Sequence, residues 1–82
     1  MEQITRTPRQ LGAALRRYRK QCGLSQLDLG GQVNKRQATV SNLEAVGSGT
    51  LDTLFAVLAA LDLELVVRSR SKTNPAALGD IF

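Results

Sequence analysis

Gln37, Thr39, Ser41 and Asn42 carry side chains that both donate and accept hydrogen bonds, and Lys35 and Arg36 stand directly before them. Amides and hydroxyls grouped this way suit a surface patterned in donors and acceptors, such as the base edges of a DNA major groove. Cations beside them suit phosphate. A plain solvated helix would more often carry Glu and Lys, and this stretch has only Glu44, after its first turn. Other chemistry lacks its residues. The chain has no His, which removes His-based acid/base catalysis, triads built on His and most zinc sites. Its one cysteine, Cys22, cannot close an internal disulfide, and a small buried residue is its plainer role than a redox switch. With no cluster of acid, base and nucleophile, the expectation is a binder and not an enzyme, with no cofactor, metal or small-molecule substrate.

The charge is unevenly spread. Lys and Arg number 11 against 7 Asp and Glu, a net of +4. Residues 1–36 hold eight cations and two acids, a net of +6, and residues 37–82 hold three cations and five acids, a net of −2. A basic first half suits a polyanion, either nucleic acid or an anionic membrane surface, although a merely solvated basic face reads the same way. No stretch nears the roughly 18 apolar residues of a membrane helix, and MEQITRTPRQ is polar where a signal peptide is apolar. A soluble, cytoplasmic protein is expected. At 82 residues with 4% aromatics and no Trp, the core is thin, and association with a second chain is a natural remedy.

The elements that position the polar group follow from caps and periodicity. Thr7-Pro8-Arg9-Gln10 predicts a helix start with a capping box, Leu11, Leu15, Tyr18 and Cys22 form one helical stripe, and Gly23 stops it. Arg9, Arg16, Arg17, Arg19 and Lys20 fall mostly off that stripe. Ser25 and Asp28 predict a second capping box, opening a short helix whose Gly30-Gly31 pair implies close packing of another backbone, and which stops by Asn34. A third helix spans about Arg36 to Ala45, with Val40 and Leu43 inward. Thr50 caps a fourth, whose Leu51, Leu54, Phe55, Leu58 and Leu61 form a broad apolar face; Tyr18 and Phe55 are read as core. After Asp62 the period becomes two, with Leu63, Leu65 and Val67 on one face of a strand that has no partner in its own chain. The chain is expected to divide into an arm (1–7), a domain (8–68) and a polar, flexible tail (69–82).

Two short helices joined by a tight turn, with polar side chains opening the second, describe a helix-turn-helix. Residues Ser25 to Glu44, SQLDLGGQVNKRQATVSNLE, resemble the helix-turn-helix of the phage-repressor or XRE class, with Ser25, Gln26, Leu29, Val33, Val40, Ser41 and Glu44 on the pattern. From Arg9 to Arg68 the chain is similar to HipB-type antitoxins. The resemblance implies an all-α fold of four to five helices, with a C-terminal strand pairing across a homodimer through Leu63, Leu65 and Val67. It also implies repression of its own operon and binding of a HipA-type serine/threonine kinase toxin. Three positions depart from the family: Asn34 where the turn has Gly, Lys35 where an apolar residue seals the turn, and Arg36 where a Ser caps the third helix.

Carried residue by residue, the resemblance assigns base reading to Arg36, Gln37, Ala38, Ser41 and Asn42. It assigns phosphate contact to Ser25, Gln26, Lys35, Thr39, Arg16 and Arg19. Ser25 reads equally as a simple helix cap, and Glu44 as a structural partner for a cation or a backbone group. Double-stranded operator DNA, a second copy and a kinase toxin are the expected partners, and a membrane is not. A stand-alone repressor without a toxin is the alternative. A protein-interaction module that has lost DNA reading is a third, disfavoured by Lys35 and Arg36.

Overall fold

The computed structural model describes residues 2–70, and within them four helices run in the order α1 (Pro8–Gln21), α2 (Gln26–Val33), α3 (Gln37–Val46) and α4 (Leu51–Ala60). Three of the four starts have a side-chain cap. Thr7 Oγ1 accepts from Gln10 N at 3.0 Å, with Pro8 in the first turn where its missing N–H costs nothing. The Gln10 side chain reaches one residue further back than a capping box requires and accepts from Arg6 N at 2.7 Å. At the other end Gly23 takes φ +73, Gly23 N donates to the Lys20 carbonyl and Leu24 N to the Arg19 carbonyl. That is a Schellman closure, and it requires the left-handed residue the sequence supplies.

At α2, Asp28 N donates to Ser25 Oγ at 2.9 Å and Ser25 N donates to Asp28 Oδ2 at 3.0 Å, a complete reciprocal box. The two glycines that follow differ. A Cβ on Gly30 would lie 2.7 Å from the Lys35 carbonyl oxygen, whereas one on Gly31 would meet nothing within 4 Å. Close backbone packing therefore explains Gly30 and not its neighbour. Asn34, at φ +58, turns the chain from α2 into α3, and Lys35 N closes the turn on the Gly30 carbonyl at 2.8 Å. α3 starts at Arg36, which makes no side-chain cap.

The helices enclose a core of Leu15, Leu29, Val40, Leu43, Val57, Leu58 and Leu61. α1 crosses α3 closely enough that a Cβ on Gly12 would collide with the carbonyl oxygens of Leu43 and Glu44. Thr50 caps α4 through Thr53 N at 3.2 Å, and the buried Thr53 hydroxyl is itself satisfied by Thr50 Oγ1 at 3.1 Å.

The sequence reading needs two corrections, at the outer side of α4 and at Cys22. Phe55 and Leu51 are exposed, because α4 turns Thr53, Val57 and Leu58 inward. With only Asp52 charged in LDTLFAVLAA, the apolar period did not single out one face. Cys22 is exposed, since it lies at the C-cap where the Leu11–Tyr18 stripe has already left the core. Tyr18 is half-buried against the core. Among the described residues there is no strand: Asp62, at φ +59, turns the chain, Leu63 N donates to the Leu58 carbonyl at 2.8 Å, and residues 64–70 follow without a ladder partner in the single chain. Of the expected tail, residues 71–82 lie outside the described residues.

Candidate nucleic-acid interface

α3 presents one polar, uncharged face. Gln37 and Ser41 are four apart, as are Ala38 and Asn42, so the four share one side of the helix. Gln37, Ala38 and Asn42 are exposed and Ser41 is half-buried, while Val40, Leu43 and Glu44 point into the protein. Thr39 falls on the flank of that side and is half-buried. The face therefore brings together four of the five expected base-reading residues. The fifth, Arg36, stands exposed at its N-terminal end beside exposed Lys35. Among the described residues neither cation has a carboxylate within ion-pair distance.

Behind the face lies a buried polar junction. Arg19 grips the Glu44 carboxylate through Nε–Oε2 at 2.6 Å and Nη2–Oε1 at 3.0 Å, and its Nη1 donates to the Leu24 carbonyl at 2.7 Å. Gln26 Nε2 donates to the same Glu44 Oε1 at 3.1 Å. One carboxylate thus ties α1, α2 and α3 together, and no buried side-chain polar atom among the described residues lacks a partner. The hydrogen bond that Arg19 donates to Glu44 raises the Arg19 pKa above its ordinary value, against the opposing pull of burial, with the carboxylate charge adding to the rise.

This junction corrects one assignment. Arg19 is buried with every part of its guanidinium fork engaged, so it is not placed to reach a phosphate. The signal was in the spacing: Arg19 follows Leu15 by four and Gly12 by seven, which sets it on the inner stripe of α1. Arg16, by contrast, is exposed on α1. Gln26 opens α2, but its amide nitrogen is held by Glu44. The first N–H groups of α2, at Gln26 and Leu27, have no acceptor within the helix, as at every helix start. Asp28 is exposed beside them, and its carboxyl pKa is lowered by hydrogen bonds from the Ser25 backbone and side chain. Arg17 is turned to the arm, where Nη1 donates to Gln3 Oε1 at 2.6 Å. Among the described residues no group of three or more His, Cys, Asp or Glu gathers as metal ligands, and no single helix is long and apolar enough to cross a membrane.

A helix-turn-helix domain family matches residues 10–70. The chain is 33% identical over 72 residues to the antitoxin HipB of Escherichia coli O6:H1, covering 87% of this chain and 77% of that protein. It is 33% identical over 70 residues to the antitoxin HipB of Escherichia coli strain K12, covering 84% and 80%. Among solved structures it superposes on the HipB chain of a HipB–O2 20mer complex with a TM-score of 0.79 at 32% identity, over 87% of this chain and all of that one. It superposes on a chain of a HipA–HipB–O2–O3 complex with a TM-score of 0.77 at 32% identity, over 85% of this chain and all of that one.

Proposed function

The chain belongs to the helix-turn-helix family of the HipB antitoxins, and from that premise we propose that it is a dimeric, sequence-specific DNA-binding repressor and the antitoxin of a HipA-like kinase toxin. The observation that carries the DNA-binding half is the α3 face. Gln37, Ala38, Ser41 and Asn42 stand outward without a charge among them, on a helix fixed from behind by Glu44. Pre-set side chains of this type read base edges: Gln37 suits a bidentate bond to adenine and Ala38 suits a thymine methyl. Arg36 adds a reader at the groove edge.

Phosphate contact falls to Lys35, to exposed Arg16, and to Ser25 and Gln26 at the start of α2, where the N–H groups of Gln26 and Leu27 have no acceptor within the helix and the helix end is positive. Thr39, on the flank of α3, completes that set. Residues 8–68 form the working unit, and Leu63, Leu65 and Val67 supply a strand whose missing ladder partner is the same strand of a second copy. Two copies then present two recognition helices to half-sites about 34 Å apart. The reading is that of a non-enzymatic regulator acting in the cytoplasm, where its DNA and its toxin are found.

The test has two arms. A gel shift on the DNA upstream of its own gene should show tight binding that weakens steeply as salt rises. Co-expression with the neighbouring kinase-like gene product should recover a stable complex. Binding to DNA without recovery of the kinase would leave a stand-alone repressor, and the absence of any DNA binding would overturn the reading.

A further inference from the structure

α1 turns three different sides to its surroundings. Leu11, Ala14 and Tyr18 line a groove shared with α4 and residues 62–70. Gly12 lies over the carbonyl oxygens of Leu43 and Glu44, and Arg19 holds the Glu44 carboxylate, so the next side presses on the C-terminal half of α3. About 70° further round, and opposite the groove, come Arg9, Ala13, Arg16 and Lys20 at steps of four, three and four. All four are exposed, α1 contains no acid, and among the described residues none of the three cations is ion-paired. Both ends of the helix are fixed against segments that border the face proposed to read bases. A Cβ on Gly47, which closes α3, would collide with the Pro8 carbonyl, and Arg19 Nη1 donates to the Leu24 carbonyl just ahead of α2.

We propose that Arg9, Arg16 and Lys20 form a second, sequence-independent DNA surface, which grips phosphates flanking the base pairs that α3 reads. The inference rests on the DNA-binding reading above and goes beyond it, because these residues lie outside the helix-turn-helix and lengthen the protein's footprint on the duplex. Arg16 becomes the middle of a line instead of an isolated contact. Three observations select DNA as the partner. From Arg9 to Lys20 the helix rises about 16 Å, the axial length of roughly five phosphates on one strand. The line carries one sign only, which suits a polyanion with its charges in a row. Its one uncharged member is Ala13, whereas a protein partner calls for aromatic or aliphatic anchors and a membrane for large apolar side chains. Arg17 stands off the line and is held by Gln3 of the arm at 2.6 Å.

Titrations of the full chain on the DNA upstream of its own gene test the proposal, using a duplex trimmed to the base pairs under the two recognition helices and one with added flanks of arbitrary sequence. The wild type should bind the longer duplex more tightly. The triple variant R9Q/R16Q/K20Q should lose that gain and bind at least tenfold more weakly, with helix content unchanged. It should also flatten the dependence of log affinity on log salt by roughly two to three units per copy. Its ratio of operator to random-DNA affinity should stay as in the wild type, which a distorted reading helix would not allow. The charge-keeping variant R9K/R16K/K20R should restore the salt slope, and Arg17→Gln should leave it unchanged. A wild type that binds no DNA would overturn the DNA-binding reading itself. A wild type that binds DNA, with a triple variant equal to it in slope and in length dependence, would overturn only the present inference. So would a triple variant that keeps its DNA affinity and loses the kinase, which would make the line a docking face for an acidic protein.

Discussion

Arg19 and Glu44, 25 positions apart in the chain, meet in a two-bond pair whose side chains are only 8% and 2% exposed. Gln26 joins the same carboxylate. A buried pair of this kind is more costly to break than to replace, because removing one partner strands the other charge away from water. Glu44→Met or Arg19→Met should therefore destabilise the fold by about 3–5 kcal/mol. The apolar double variant R19M/E44M should recover most of that loss. Urea unfolding of the three proteins checks the pattern, and additive losses in the double variant would show that the two side chains do not act as a pair.

On the proposed roles, DNA reading should separate from DNA attraction at the neighbouring residues Gln37 and Lys35. Gln37→Ala should cost about 1–3 kcal/mol on the operator and little on random DNA. Lys35→Ala should weaken both alike and flatten the dependence of log affinity on log salt by about one unit. Titrations on two DNA sequences at several salt concentrations distinguish the roles. Equal losses on both sequences for Gln37→Ala would remove it from the base-reading set.

The glycine pair in α2 gives opposite signs from adjacent positions. Gly31→Ala enters open space in a helix and should stabilise by about 0.5–1 kcal/mol. Gly30→Ala places a methyl 2.7 Å from the Lys35 carbonyl oxygen and should destabilise, since neither backbone can retreat without opening the α2–α3 turn. Thermal unfolding of the two single variants decides it.

These positions also show how far the amino-acid string could be read. Caps are local, so Thr7, Ser25, Asp28, Gly23 and Thr50 were legible and gave helix starts and stops to within a residue or two. The α3 face was legible for the same reason, since its members lie within six positions. What escaped depends on contacts between distant segments. Nothing beside Arg19 says that Glu44 waits on another helix, although its place on the α1 stripe hinted at burial. Phe55 was read inward because α4 is apolar nearly all round, and only the packed helices decide which side is covered. Leu63–Val67 has the alternation of a strand, and the pairing proposed for it lies outside the single chain, where no local pattern can show it.

The reciprocal box at α2 predicts an acid dependence of stability. Hydrogen bonds from Ser25 lower the Asp28 pKa below the usual Asp value of about 3.9. A depressed carboxyl contributes stability that is fully present above its unfolded pKa and is lost as pH falls through its folded one. Stability should therefore drop below about pH 4, and Asp28→Asn should shallow that drop. Unfolding midpoints measured between roughly pH 2 and 5 on both proteins check the sign.

At Arg36 the proposed role sets stability against DNA attraction. It occupies the N-cap of α3 yet makes no side-chain cap, so the first N–H groups of that helix lack the acceptor that a Ser would provide. In exchange it sets a cation at the end of the face proposed to read bases, next to Lys35. Arg36→Ser should then raise stability by about 1 kcal/mol through the restored cap. The same change should lower operator affinity and cut the salt slope by about one unit. Chemical denaturation and salt-dependent DNA titrations on one variant measure both sides. A stabilised protein with undiminished DNA binding would mean that the arginine is dispensable at the interface. Unchanged stability would mean that the α3 start is already satisfied by water.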